Sequence, residues 1–255
     1  MNKEVVMEKI FSRPKSMNEV EFHYCSGCSH QIVHRIIGEV IDELGIEDRT
    51  VGIAPVGCAV LGYDYWNLDM TEAAHGRVPA VATGIKRVHP ESIVFGYQGD
   101  GDLAAIGMAE TIHAANRGEK ITIIFVNNAI YGMTGGQMAP TTLPWQKTAT
   151  TPFGRDPSDV GYPIRVAEML ATLATPAYIE RTTIVDSKHI LQTKKAIKKA
   201  FQYQVDGVGY SFVEVVSACP TGWNLSPIQA LEWIKEKMLP FYELGCKKDF
   251  NRSKL

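Results

Sequence analysis

Apolar positions along this chain switch repeatedly between short unbroken runs and runs spaced three and four residues apart. Ile32, Ile36, Ile37, Val40, Ile41 and Leu44 fall on one stripe, so Ser29 to Leu44 reads as a helix that Gly45 ends. Thr50 to Val56 then predicts a strand, and Val78 to Val88 a second helix. Ser92 to Tyr97 is short, apolar and bounded by Pro90 and Gly99, the pattern of a buried strand. Asp102 predicts a cap for a helix whose face carries Leu103, Ile106, Ala109, Ile112 and His113 before Gly118, and Ile121 to Val126 follows as another buried strand. Strands near Ala177 to Val185 and Tyr210 to Val216, with helices near Lys188 to Gln204 and Pro227 to Met238, complete the alternation.

Strands alternating with helices specify βαβ units, hence an α/β fold with a mostly parallel sheet flanked by helices. Residues 1–245 read as a single domain, and 246–255 as a polar tail that frays. Thr134 to Pro163 is rich in Gly, Pro and Thr and too long for an ordinary connection; such loops are functional or disordered.

Composition narrows the function classes. With 255 residues and 45% hydrophobic content, disordered, collagen-like and coiled-coil chains fall away. A net charge of −2 with no local basic patch gives no reason to expect nucleic acid as a partner. No apolar run approaches the ~20 residues of a bilayer crossing, and Met1-Asn2-Lys3-Glu4 leads into mixed charge rather than an apolar targeting segment. A cytoplasmic protein with no membrane partner is expected. Five cysteines, two of them in Cys25-Ser26-Gly27-Cys28, favour metal or redox chemistry over a disulfide framework.

Two constellations carry that chemistry. Gly99-Asp100-Gly101-Asp102 sits at the carboxyl end of a predicted strand and opens a helix, where open α/β sheets place ligands and helix amides attract phosphate. Asp100 is a hard oxygen donor suited to Mg²⁺. Asn127-Asn128 follow one helix and one strand later, so Asp100 and Asn128 are expected to face one cation from neighbouring strand ends. An amide as second ligand avoids setting another negative charge beside a diphosphate.

The second constellation is a set of thiols. Cys25 and Cys28 lie just before a helix, Cys58 follows a strand in Val56-Gly57-Cys58-Ala59, and Cys219 follows another in Ala218-Cys219-Pro220. If those strands share one parallel sheet, their carboxyl ends gather the thiols on the rim that holds the diphosphate. Four thiolates suit tetrahedral Zn²⁺ or a [4Fe–4S] cluster, and spacing alone does not choose.

Gly99-Asp100-Gly101 with the later Asn128 resembles the cofactor motif of thiamine diphosphate enzymes. Tyr131-Gly132-Met133-Thr134-Gly135-Gly136-Gln137 resembles the following loop in 2-oxoacid:ferredoxin oxidoreductases, and His75-Gly76-Arg77 resembles another segment near the cofactor. The resemblance covers nearly the whole chain and corresponds to the thiamine-binding beta subunit, a thiamine diphosphate-binding fold. It implies that Asp100, Asn128 and the main-chain oxygen of Ile130 bind Mg²⁺, while Gly99, Gly101, Asp102, Thr134 and His75 line the cofactor pocket. A flexible turn is the lesser reading of Thr134-Gly135-Gly136.

In the same family, cysteines in this order hold a [4Fe–4S] cluster beside thiamine, which implies Cys25, Cys28, Cys58 and Cys219 as its ligands; Cys246 is left out. Zinc offers no redox chemistry to receive electrons released by decarboxylation. The implied activity is CoA-dependent oxidative decarboxylation of a 2-oxo acid with electrons passed to ferredoxin. The activating Glu is absent from this reading of the chain and is expected on a pyrimidine-binding alpha subunit, with gamma and ferredoxin-like delta subunits as further partners. Some relatives acting on 2-oxoglutarate or on a broad range of 2-oxo acids carry a basic residue three positions after the third cysteine; here that position is Leu61, which favours 2-oxoisovalerate with 2-oxoglutarate next. A reading from another class is a non-catalytic iron–sulfur or zinc module whose Gly-Asp-Gly turn binds a nucleotide.

Other features are assigned bland roles. His30 and His34, at helical i,i+4 spacing, read as ordinary polar or partly buried residues, and His23, His89, His113 and His189 have no evident companion. Lys188, Lys194, Lys195, Lys198 and Lys199 form a basic helix face, read as solvated in preference to a dock for an acidic carrier. Trp66, Trp145 and Trp223 are core or pocket walls.

Overall fold

The computed structural model describes residues 12–250. The opening Met1–Glu4 and residues 251–255 of the expected tail lie outside them. Seven strands, β1 (Thr50–Ala54), β2 (Asp69–Glu72), β3 (Ile93–Gly99), β4 (Thr122–Asn127), β5 (Tyr178–Thr183), β6 (Ser211–Val216) and β7 (Gly245–Asp249), form one sheet in the order β2-β1-β3-β4-β6-β5-β7. All neighbours are parallel except β7, which runs antiparallel to β5. Helices α1 (His30–Leu44), α2 (Gly62–Tyr65), α3 (Val78–Val88), α4 (Met108–Arg117), α5 (Pro157–Val160), α6 (Val166–Ala171), α7 (Ser187–Val205), α8 (Pro220–Trp223), α9 (Pro227–Trp233) and α10 (Leu239–Phe241) occupy the connections.

Alternation within each strand builds two cores. Phe95, Tyr97, Ile124, Val126, Val213 and Val215 face α1 and α7; Val94, Ile123, Phe125, Ile179 and Phe212 face α3, α4 and α6. Side chains from both faces are excluded from water, as crossover helices on each side of a parallel sheet require. Gly96 marks a close approach: a Cβ there would stand 2.4 Å from Val78 Cγ1 and 2.9 Å from Ile123 Cδ1. Gly96→Ala is therefore expected to destabilise the fold by about 1–3 kcal/mol through overpacking, read as a lower thermal midpoint. An unchanged midpoint would show that α3 shifts freely on the sheet.

The alternation of strands and helices follows the sequence pattern, with four differences. β2 carries no apolar run, so periodicity did not mark it. Residues 246–249 are not frayed but belong to β7, where polar side chains suit a strand at the sheet margin. Lys194 meets Glu39 and Glu43 of α1, Lys198 meets Glu43, and Lys199 meets Asp249 of β7, so much of the basic face of α7 is paired with neighbouring elements instead of merely solvated. Helix α4 begins only at Met108, after a π-helical segment Gly101–Ile106 that leaves Ile106 51% exposed.

The long loop after β4 is ordered. Arg155 is buried and donates through Nη1 to the carbonyls of Ala139, Pro140 and Thr142 and through Nε to that of Gly161, stitching the loop to itself. Among the described residues, no helix is long and apolar enough to cross a membrane.

Candidate active site

The carboxyl ends of β1, β3, β4 and β6, four contiguous strands, converge on one rim, where parallel sheets place their ligands. A cleft of about 240 Å³ there is lined by residues 55–59, 99–102 and 130–134 together with His30, His75, Ala105, Ile106 and Asn128.

Asp100 follows β3 and is 3% exposed. Its Oδ1 accepts the Asn128 N–H at 3.2 Å and its Oδ2 accepts the Thr141 hydroxyl. Burial pushes its carboxyl up to about 7, against the downward pull of those hydrogen bonds. Asn128 is itself buried, and its Oδ1 has no hydrogen-bond partner. Its carbonyl accepts the Trp223 indole N–H at 3.1 Å. Between Asn128 and Ile130, Ala129 adopts φ +57, a left-handed conformation that disfavours any residue with a Cβ, and Asn127 Oδ1 accepts its N–H at 3.2 Å. A buried carboxylate short of compensating charge and a buried amide oxygen without a donor are what a divalent cation would satisfy.

Asp102 does not cap a helix. Gly101 already follows the helical path, so Asp102 lies inside the π-helical segment. Its Oδ1 instead accepts the N–H groups of Val56 (3.3 Å) and Gly76 (2.9 Å) and pairs with His75 Nδ1 at 2.7 Å, while Oδ2 accepts Gln98 Nε2 at 2.6 Å. One carboxylate thus joins the exit of β1, the His75-Gly76 turn and β3 into the cleft wall. Gly76, at φ +79, admits no side chain, because a Cβ would meet Gly107 N at 2.7 Å.

Residues 131–137 close on themselves: the Tyr131 N–H donates to Gln137 O at 3.0 Å, and the Thr134 hydroxyl donates to Gln137 Oε1 at 2.5 Å. The Tyr131 ring packs over Gly101, and Thr134 lines the cleft. Gly132 borders the thiols: a Cβ there would stand 3.0 Å from Cys219 Sγ and 3.6 Å from Cys58 Sγ. Ser29 Oγ accepts the Ala218 N–H at 2.8 Å, tying the residue after Cys28 to the residue before Cys219. The Cys28 N–H donates to Cys25 O at 3.0 Å.

Cys25 is exposed and Cys28, Cys58 and Cys219 are half-buried. Burial pushes the Cys28 thiol up to about 11 and the Cys219 thiol up to about 12, and raises Cys58; mutual repulsion within the set of four adds to each. Such thiols ionise only where a positive centre joins them. As the side chains stand, no three His, Cys, Asp or Glu groups among the described residues are close enough to hold a metal ion.

The histidines depart from expectation. His30 and His34 are fully buried, with His30 Nδ1 2.6 Å from the Tyr97 hydroxyl and His34 Nε2 2.7 Å from that of Tyr24; burial lowers His30 to about 4. His23 Nδ1 meets the Tyr65 hydroxyl, and His189 Nδ1 meets Asp186, the cap of α7. Trp66 is core, Trp145 is 65% exposed and Trp223 braces the backbone at Asn128. Sequence reasoning missed Thr141 and Gln98, which hold Asp100 and Asp102, and treated Asn127 only as half of a pair.

A mostly parallel sheet with a buried aspartate and asparagine at adjoining strand ends fits a thiamine pyrophosphate enzyme, the class that the family match shows. Residues 55–215 match the family described as thiamine pyrophosphate enzyme, C-terminal TPP binding domain. The chain is 50% identical over 241 residues to the ketoisovalerate oxidoreductase subunit VorA of Methanothermobacter thermautotrophicus, covering 91% of this chain and 50% of that protein. It is 38% identical over 213 residues to the 2-oxoglutarate synthase subunit KorB of Archaeoglobus fulgidus, covering 84% of this chain and 75% of that one. A solved 2-oxoglutarate:ferredoxin oxidoreductase from Magnetococcus marinus, with 2-oxoglutarate, coenzyme A and succinyl-CoA bound, shares the fold at a TM-score of 0.76 and 24% identity, covering 95% of this chain and 89% of that one. The chain belongs to the 2-oxoacid:ferredoxin oxidoreductase family, among its thiamine diphosphate-binding beta subunits. It spans about half the length of VorA. Membership sets aside a nucleotide-binding module.

Proposed function

We propose that this chain, with a pyrimidine-binding partner that contributes the activating Glu, catalyses CoA-dependent oxidative decarboxylation of a branched-chain 2-oxo acid and passes the electrons to ferredoxin. The observation that carries this reading is the adjacency at Gly132, where the loop beside Asp100 and Asn128 passes next to Cys58 and Cys219. When bound, thiamine diphosphate supplies a nucleophilic carbon and an electron sink, and a [4Fe–4S] cluster supplies one-electron transfer.

The chain's own residues bind and orient. Asp100, Asn128 Oδ1 and the Ile130 carbonyl would hold Mg²⁺; Gly99 and Gly101 would let the backbone approach the diphosphate; Asp102, His75 and Thr134 fix the cleft wall. Cys25, Cys28, Cys58 and Cys219 would hold the cluster. Ile106 and Met133 add apolar side chains to the cleft lining. Gamma and delta subunits and ferredoxin complete the electron path, and thiols free of disulfides suit a reducing cytoplasm. Anaerobic cofactor analysis of the native complex tests the assignment: thiamine, magnesium and about four irons per chain are expected. Zinc with no thiamine would overturn it.

No Lys or Arg lines the cleft, and Leu61 lies outside it at the start of α2. Among the described residues that line the cleft, no Lys or Arg is therefore placed to pair a second substrate carboxylate. The half-identical relative is named for ketoisovalerate, in keeping with an apolar substrate. Lacking a charged hydrogen bond worth about 2 kcal/mol, 2-oxoglutarate is expected to show a kcat/KM about 30-fold below that of 2-oxoisovalerate in the assembled complex. A preference for 2-oxoglutarate would place the missing cation on the partner and overturn the choice.

A further inference from the structure

Asn127, Glu214 and Arg181 stand on one face of the neighbouring strands β4, β6 and β5, among apolar side chains. Glu214 is the direct ladder partner of Phe125 and Arg181, and Asn127 lies two residues beyond Phe125. None of the three is more than 1% exposed. The Arg181 guanidinium meets Glu214 through Nε at 3.0 Å and grips both carboxylate oxygens of Glu168 on α6 at 2.5 and 2.6 Å. Desolvation offsets most of the attraction within a buried ion pair, so stability alone is a poor account of this one.

Two paths lead from it to the proposed cation ligands. Glu214 Oε1 accepts Asn127 Nδ2 at 2.7 Å, which decides the orientation of that amide and leaves Oδ1 to accept the Ala129 N–H. Ala129 is thereby held left-handed between Asn128 and Ile130. On the other path, Arg181 lies over the Tyr242 ring at 5.2 Å; the Tyr242 hydroxyl donates to Thr141 O at 2.5 Å, and the Thr141 hydroxyl donates to Asp100.

We propose that Arg181 and Glu214 are positioning residues that act through Asn127 and Tyr242 to set the spacing of Asp100, Asn128 and Ile130 to the demands of Mg²⁺. This rests on the magnesium reading above. Mg²⁺ requires near-octahedral geometry at short distances, whereas Ca²⁺ accepts longer and irregular ones. Loosening the relay therefore penalises one cation more than the other, which simple loss of stability does not do.

The test titrates thiamine diphosphate binding with Mg²⁺ or Ca²⁺ in the full chain assembled with its partner, for wild type, Glu214→Gln and the double variant Arg181→Met/Glu214→Gln. The double variant removes both charges together and leaves neither of these two buried without its partner, so it serves where the single one fails to fold. Mg²⁺-supported Kd is expected to rise about tenfold or more and Ca²⁺-supported Kd by less than about threefold, with iron content unchanged. Equal losses with both cations, or an unaffected double variant in a cation-dependent protein, overturn the relay alone. A wild type that binds thiamine diphosphate without divalent cation overturns the magnesium reading as well.

Discussion

Asp100→Asn is expected to weaken Mg²⁺-supported thiamine diphosphate binding by about 100-fold or more, with turnover falling in proportion. The replacement keeps shape and can still accept the Asn128 N–H, so the loss reports charge at the ligand position rather than packing. The same buried carboxylate has a second consequence. Because burial raises it to about 7 from an unfolded value near 3.8, the cofactor-free fold favours the protonated acid. Its contribution to stability is present below the unfolded value and is lost as pH rises through about 7. Cation binding runs oppositely: below about 7 a proton competes with the metal, weakening it by up to about tenfold per pH unit. Calorimetric titration between about pH 5 and pH 8 checks both signs. Wild-type affinity in Asp100→Asn, or cation binding indifferent to pH, would remove Asp100 from the ligand set.

The second large effect is expected at Cys58. Cys58→Ser changes one atom, leaves the loop after β1 free to pack as before, and removes a soft ligand from the group beside Gly132. Iron is expected to drop from about four per chain to less than about one, and ferredoxin reduction by about 100-fold or more. Thiamine diphosphate affinity is expected to stay within about threefold, because Asp100, Asn128 and Asp102 are untouched. Anaerobic iron analysis and low-temperature spin resonance of the reduced protein read the first outcome. Full iron content in the variant would show that Cys58 is not a ligand.

Most of the architecture was legible because buried parallel strands and amphipathic helices announce themselves by apolar spacing. β3, β4 and β6 lie where the runs ending at Tyr97, Val126 and Val216 place them. β2 and β7 escaped detection since they sit at the two margins, where strands need no apolar side chains. The pairing of Asp100 with Asn128 was legible from topology alone: one crossover separates adjacent strand ends. Thr141 was not, since nothing in a loop rich in Gly, Pro and Thr says which hydroxyl returns to a carboxylate 41 residues away. Asp102 misled for a related reason. An aspartate after a glycine looks like a helix cap in one dimension, and only the folded chain shows that Val56, His75, Gly76 and Gln98 claim its oxygens first. The buried state of His30 and His34 was hidden in the same way, because the tyrosines whose hydroxyls meet them come from residues 97 and 24.

The two borders of the sheet bear on how larger assemblies are built. On one side β2 is only 4 residues long and begins and ends with an acid; on the other, β7 brings Lys247 and Lys248 alongside β5. Neither border invites a foreign strand to extend the ladder. A companion polypeptide is therefore expected to meet this one through loops and side-chain surfaces rather than by lengthening the sheet.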